Sequence, residues 1–148
     1  GSELSEFWLG NDHLHRLTSL GKNELHVDLM DFDNQYSFAK YGSFRVAAEH
    51  DQYRLTVGTF LEGSADDSLF IHNNMPFSTW DKQQDPQRLN CAETYKGGWW
   101  YNDCHFANLN GKYWLGEHDS YADGINWRTG RGFHYSYKLT EMKFRSVT

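Results

Sequence analysis

Apolar and polar residues alternate over 24–29, where Glu24-Leu25-His26-Val27-Asp28-Leu29 sets two Leu and a Val on one side of an extended chain. That period of two is the mark of a half-buried strand. It returns at 36–41, 44–47 and 53–59, with Asp, Asn, Gly and His in the short connections, and predicts a meandering antiparallel sheet. Ahead of the strands, 13–19 reads as a short helix. Asn11-Asp12 offer cap chemistry at its start and Gly21 stands just past its end.

Beyond Gly63 the periodicity dissolves. From 64 to 132 the chain is rich in Gly, Asn, Asp, Trp and Tyr, and so long an irregular stretch is usually functional or disordered. Its aromatic content argues against disorder. The segment 135–145 alternates again and is expected to return to the sheet. The chain therefore reads as α+β: sheet, elaborated loops, then a last strand, with no internal repeat.

Composition narrows the class. A length of 148 residues suits one compact domain with a real core. With 39% hydrophobic and 23% charged residues, and no apolar run long enough to span a bilayer, neither disorder nor a membrane span is indicated. Gly1-Ser2 read as a cleavage scar, not a signal peptide, so a secretory signal would precede residue 1. The net charge of −6 and the lack of a Lys/Arg cluster argue against a nucleic-acid partner. An aromatic share of 17% exceeds the need of a small core and suits either a binding surface or an aromatic-rich β core.

Two cysteines, Cys91 and Cys104, leave open free thiols, a reactive pair or one disulfide. The spacing is too wide for a CxxC redox motif, and no second pair completes a zinc site. We read a structural disulfide, which points to an oxidising compartment. No hydrolase or transferase motif occurs, and His72, His118 and His134 have no metal-ligand spacing, so an enzyme is not expected.

Longer motifs are more specific. Phe77-Ser78-Thr79-Trp80-Asp81, Asn90-Cys91-Ala92 and Gly98-Trp99-Trp100-Tyr101-Asn102-Asp103-Cys104-His105 are followed by Ala107-Asn108-Leu109-Asn110-Gly111-Lys112-Tyr113, Gly124-Ile125-Asn126-Trp127 and Glu141-Met142-Lys143-Phe144-Arg145. Upstream stand Glu6-Phe7-Trp8-Leu9-Gly10-Asn11 and Gly63-Ser64-Ala65-Asp66-Asp67-Ser68-Leu69. Together they resemble the fibrinogen C-terminal domain family over nearly the whole chain. Asn126-Trp127-Arg128-Thr129-Gly130-Arg131-Gly132 is similar to ficolins, and Ser120-Tyr121-Ala122-Asp123-Gly124 to the fibrinogen-domain receptor for acetyl groups.

The resemblance implies a secreted, loop-rich fibrinogen-like globe. The sheet subdomain would comprise about 3–63 and 135–148, and the binding subdomain 64–134. The family's N-terminal subdomain, of roughly 70 residues with a first disulfide, has no counterpart here. Either a truncation or a reduced version of the domain fits, and the lost subdomain would leave a flank of the sheet exposed.

The resemblance further implies a lectin pocket for N-acetylated glycans, N-acetylhexosamines and sialic acid among them, beside the Cys91–Cys104 disulfide. Its lining would be Tyr95, His105, Tyr121 and Phe133, with the backbone of Cys104 and Ala122. Aromatic walls suit an acetyl methyl, and fixed amides suit its carbonyl oxygen. The family's cis peptide falls on Asp103-Cys104. Arg128 and Arg131 would favour an anionic sugar by local positive potential, against the plainer reading of a solvated loop.

A Ca²⁺ loop is implied just before Cys91. Its carboxylate positions fall on Gln83 and Asp85 and its carbonyl positions on Gln87 and Leu89. Gln83 stands where the family has Asp, and Lys82 and Arg88 add repulsion, which weakens a hard-cation site. The rival function is a protein-binding globe, a receptor ligand or adhesion module. For the lectin, innate recognition of microbial or modified glycans is the family expectation, with avidity from self-association.

Overall fold

In the computed structural model, residues 10–79, 81, 91–95, 97–102 and 104–147 are described. Helix α1 (Asn11–Thr18) starts two residues earlier than its sequence suggests. Asn11 and Asp12 lie inside it, and Gly10 is the N-cap at φ 92°, a backbone setting that glycine takes without strain. The Gly10 carbonyl accepts the Leu14 N–H at 3.0 Å. Leu14 and Thr18 form the buried face, and the Thr18 hydroxyl takes the Val46 N–H at 3.0 Å, fixing the helix to the strands.

Strand β1 (Asn23–Met30) alternates buried and half-buried along its whole length, as expected. Strand β2 (Tyr36–Tyr41) pairs with it antiparallel, matching Val27 with Ala39. The next two strands depart from the single-meander expectation. Strands β3 (Phe44–Val46) and β4 (Leu55–Val57) make their own two-stranded ribbon. The 53–59 segment is cut short because Gln52 and Tyr53 sit at φ 58° and 51°, outside extended backbone. Strand β5 (Phe60–Glu62), not evident in the sequence, closes the far edge on β2.

Within the irregular region lie a five-residue helix, α2 (Cys91–Tyr95), and two-residue strands β6 (Ala107–Asn108), β7 (Gly116–Glu117) and β8 (Asn126–Trp127). The expected final strand is two. Strand β9 (Tyr135–Ser136) pairs with β7, while β10 (Leu139–Ser146) runs antiparallel to β1. The main sheet is thus β10-β1-β2-β5.

One apolar core joins both parts of the chain. Leu25, Val27, Leu29 and Ala39 meet Trp99, Trp100, Trp127 and Tyr137 in it. Burying each large side chain contributes on the order of 1.5–3 kcal/mol. Trp127 is fully buried, and its Nε1–H donates to the Ala65 carbonyl at 2.9 Å, satisfying its polar edge. Two-residue strands cannot hold themselves, so the loop region depends on such anchors.

Candidate functional site

The disulfide Cys91–Cys104 is formed, with Cα atoms 5.6 Å apart. It ties the first residue of α2 to the segment that carries His105. Tyr95 ends α2, and its carbonyl accepts the Asn108 Nδ2–H at 2.9 Å. Asn108 is fully buried; it also donates to the Gly124 carbonyl at 3.3 Å and accepts the Tyr101 hydroxyl at 2.8 Å. One amide side chain thus links α2, the Trp99-Trp100-Tyr101 segment and the loop that bears Tyr121.

Around this frame the aromatic residues converge. The His105 ring lies edge-on to Tyr95 at 5.0 Å and to Phe133 at 5.7 Å, with Tyr101 at 5.6 Å. Tyr121 contacts Phe133 at 5.3 Å, His134 at 5.7 Å and Tyr95 at 6.4 Å. The structure therefore brings together Tyr95, His105, Tyr121 and Phe133. Tyr121 remains 58% exposed over a His105 that is 6% exposed, so the cluster has a buried floor and an open lip.

Ala122 shapes that lip. Its φ of 60° lies in the left-handed region, and its N–H donates to the Phe133 carbonyl at 3.0 Å. Asp123 clips the other side: its Oδ1 accepts the Ser120 hydroxyl at 2.7 Å and the Trp114 Nε1–H at 3.0 Å. Tyr121 is held outward between these two anchors.

His105 is unusual. Neither ring nitrogen has a well-formed hydrogen bond, and among the described residues neither the Cys104 nor the His105 main-chain N–H donates one. Burial, helped by the neighbouring His72 imidazole, pushes its pKa down to about 3, and the Ala122 main chain opposes this only weakly. The imidazole is a neutral ring with unspent polar capacity. His72, also fully buried, is pushed down to about 4 by burial, which outweighs the Trp100 carbonyl it contacts.

The two arginines are placed apart. Arg131 donates to Asp31 at 2.8 Å and Asp33 at 3.5 Å and stacks 4.0 Å from the Tyr135 ring centre, so its charge is compensated. Arg128 stacks 4.3 Å over Phe106. Arg131 also borders an open cleft of about 640 Å³, with Glu117, His118, Asp119, His134 and Tyr135 in its walls. Sequence reasoning missed His134, Tyr101 and Asn108 as parts of the site. Tyr101 and Asn108 stand within the family-like motifs around Cys104, while His134 lies outside them.

Gln83, Asp85, Gln87 and Leu89 lie outside the described residues, as does Asp103. Among the described residues no group of three or more His, Cys, Asp or Glu side chains could hold a metal ion.

The disulfide and the aromatic cluster sit on a sheet-and-loop globe. A family model described as fibrinogen beta and gamma chains, C-terminal globular domain, matches residues 1–147. The chain belongs to the fibrinogen C-terminal domain family. Its fold is the fibrinogen-like globe. The globe of human ANGPTL6 is 41% identical with a TM-score of 0.93, over 100% of this chain and 67% of that one. That of human ANGPTL2 is 39% identical with a TM-score of 0.94, over 100% of this chain and 69% of that one. Lamprey fibrin D-dimer, complexed with the peptide ligand Gly-His-Arg-Pro-amide, is 36% identical with a TM-score of 0.89. That match covers 99% of this chain and 53% of the lamprey chain.

Among the described residues no helix of this fibrinogen-like globe is long and apolar enough to cross a membrane.

Proposed function

We propose that the chain is a non-catalytic, extracellular recognition domain that binds a peptide or protein partner at the aromatic cluster around Tyr121. The observation that carries this reading is the peptide held by the lamprey relative, a structure 36% identical over 99% of this chain. The likeness to two other fibrinogen-like globes at about 40% identity supports it further. An exposed tyrosine over a rigid, buried floor is the kind of anchor that dominates protein interfaces. The disulfide supports an oxidising, extracellular setting.

A second reading, recognition of N-acetylated sugars, is favoured by His105. A neutral imidazole without a well-formed hydrogen bond among the described residues, walled by Tyr95, Tyr121 and Phe133, offers an acetamido group apolar walls and polar contacts. The Cys104 and His105 amides would serve its carbonyl oxygen. Under this reading the likeness to ficolins and the acetyl-group receptor has functional meaning. This reading also takes up calcium, with Asp85 and Gln83 as its side-chain ligands.

Titration calorimetry separates the two. The probes are Gly-His-Arg-Pro-amide and N-acetylglucosamine, with glucose as control, each with Ca²⁺ and with chelator. Saturable peptide binding that disappears in Tyr121→Ala supports the first reading. Sugar binding without peptide binding replaces it with the second. If neither probe binds the folded protein, the Tyr121 site is not the ligand site.

A further inference from the structure

A second surface lies at Phe70, Phe106 and Arg128. Phe70 is 57% exposed, and its ring meets the Phe106 ring edge-on at 5.4 Å. The Arg128 guanidinium lies over the other aromatic ring, 4.3 Å from the Phe106 centre. Stacking on an aromatic face orients a guanidinium while leaving its N–H edge open for a carboxylate.

The segment that carries Arg128 is held firmly. Trp127, one residue before, is fully buried with its indole N–H on the Ala65 carbonyl. Thr129, one residue after, donates its hydroxyl to the same carbonyl at 2.6 Å and its N–H to the Ser68 hydroxyl at 3.0 Å. Between them the Arg128 N–H donates to the Phe106 carbonyl at 2.8 Å. A side chain presented from so fixed a backbone loses little further freedom on binding.

The charge is also unspent. Among the described residues Arg128 forms no ion pair, on a chain of net charge −6. Asp67, close in sequence to Phe70, is committed elsewhere: its Oδ1 accepts the Tyr41 hydroxyl and the Leu69 and Phe70 N–H groups. Arg131, three residues on, already has its carboxylates. An exposed Phe70 on a half-buried Phe106, beside an unpaired, preorganised arginine, has the composition of an interface anchor.

We infer that Phe70, Phe106 and Arg128 form a docking surface for a protein partner that presents a carboxylate beside an apolar side chain. The carboxylate meets the Arg128 guanidinium edge and the apolar group lies on Phe70. The inference rests on the reading of this globe as a binder of protein partners, but uses Phe70, Phe106 and Arg128 instead of Tyr121.

NMR with two small probes tests it: acetyl-leucyl-aspartate amide, and the same compound with asparagine for aspartate. The aspartate probe is expected to shift the Arg128 Nε–H and the Phe70 and Phe106 ring signals saturably, in the millimolar range. The asparagine probe should shift them at least several-fold less. Arg128→Gln, an exposed change that leaves the fold intact, should abolish the difference between the probes. Equal shifts from both probes, shifts that persist in Arg128→Gln, or no shift of these signals would each overturn the inference. Titration of Gly-His-Arg-Pro-amide on the same sample, followed at Tyr121, reports on the other reading independently.

Discussion

The wholly buried His72 accepts the main-chain N–H of Phe106 on its Nε2 at 3.2 Å, across 34 residues of sequence. The same nitrogen takes the Ala107 N–H at 3.3 Å, while Nδ1 lies 2.8 Å from the Trp100 carbonyl. This fixes the tautomer: Nδ1 carries the proton and Nε2 is the acceptor. His72→Ala strands two donors and a carbonyl and leaves a cavity. A loss of about 3–5 kcal/mol is expected, read as a fall in midpoint in urea unfolding.

The histidines also set a pH dependence. His72 and His105 are held neutral in the fold, at about 4 and about 3, whereas in the unfolded chain they protonate near the ordinary 6.5. The unfolded state therefore binds more protons below that value, and stability falls as pH drops. The loss begins near pH 6.5, proceeds at about 1.4 kcal/mol per pH unit for each histidine, and levels off near pH 4 for His72 and pH 3 for His105. Urea midpoints from pH 7 to 4 check it. Replacing His72 with Gln should remove about half of the histidine slope, and an unchanged slope would refute the assignment.

Asp31 makes a further acid-sensitive contact. Its Oδ1 accepts the Asp33 and Gln35 N–H groups, both at 2.9 Å, and its Oδ2 takes Arg131. Asp31 is buried in the turn that follows β1. Burial opposes ionisation there, but these hydrogen bonds and the arginine together lower its pKa below the ordinary value. A lowered carboxylate stabilises the fold above its unfolded pKa and loses that contribution as pH falls through the folded one. Asp31→Asn keeps an oxygen for the two N–H groups and loses the ion pair, so a cost of about 1 kcal/mol is expected. Asp31→Ala loses both, for about 2–3 kcal/mol. Thermal melts at pH 7 distinguish the pair.

Truncations of two aromatic residues should separate site from scaffold. Tyr121 is 58% exposed, so Tyr121→Ala should change stability by no more than about 0.5 kcal/mol. Trp127 is fully buried, and Trp127→Ala should cost about 3–5 kcal/mol. Denaturation of both variants is the check; a large loss from Tyr121→Ala would make that residue structural.

Gly111 is closed to any side chain. A Cβ there would collide with the Gly124 carbonyl oxygen, a main-chain atom of the loop that carries Tyr121. Gly111→Ala should cost about 1–3 kcal/mol and shift the Tyr121 signals in a proton–nitrogen spectrum. Removing the disulfide by Cys91→Ala with Cys104→Ala should cost on the order of 3 kcal/mol, seen as a lower melting temperature.

Strand β1 was legible because the alternation of Leu25, Val27 and Leu29 with Glu24, His26 and Asp28 states directly which face is buried. Helix α1 was legible to within two residues, and the disulfide agrees with the cysteine reading. The cluster of Tyr95, His105, Tyr121 and Phe133 came from family resemblance, since those residues are scattered over 39 positions with no local period. The separate β3–β4 ribbon, the three-residue β5 and the break between β9 and β10 were not legible. Elements of two or three residues have too few positions to declare a period.

The sequence by itself determined the strand faces of the main sheet, the family and the disulfide, because each is carried by contiguous pattern or specific spacing. Tertiary structure alone decided the partners of His72 and Asn108, the outward hold on Tyr121 and the separate settings of Arg128 and Arg131. Those contacts join positions far apart in the chain, where only the folded path brings a donor to its acceptor.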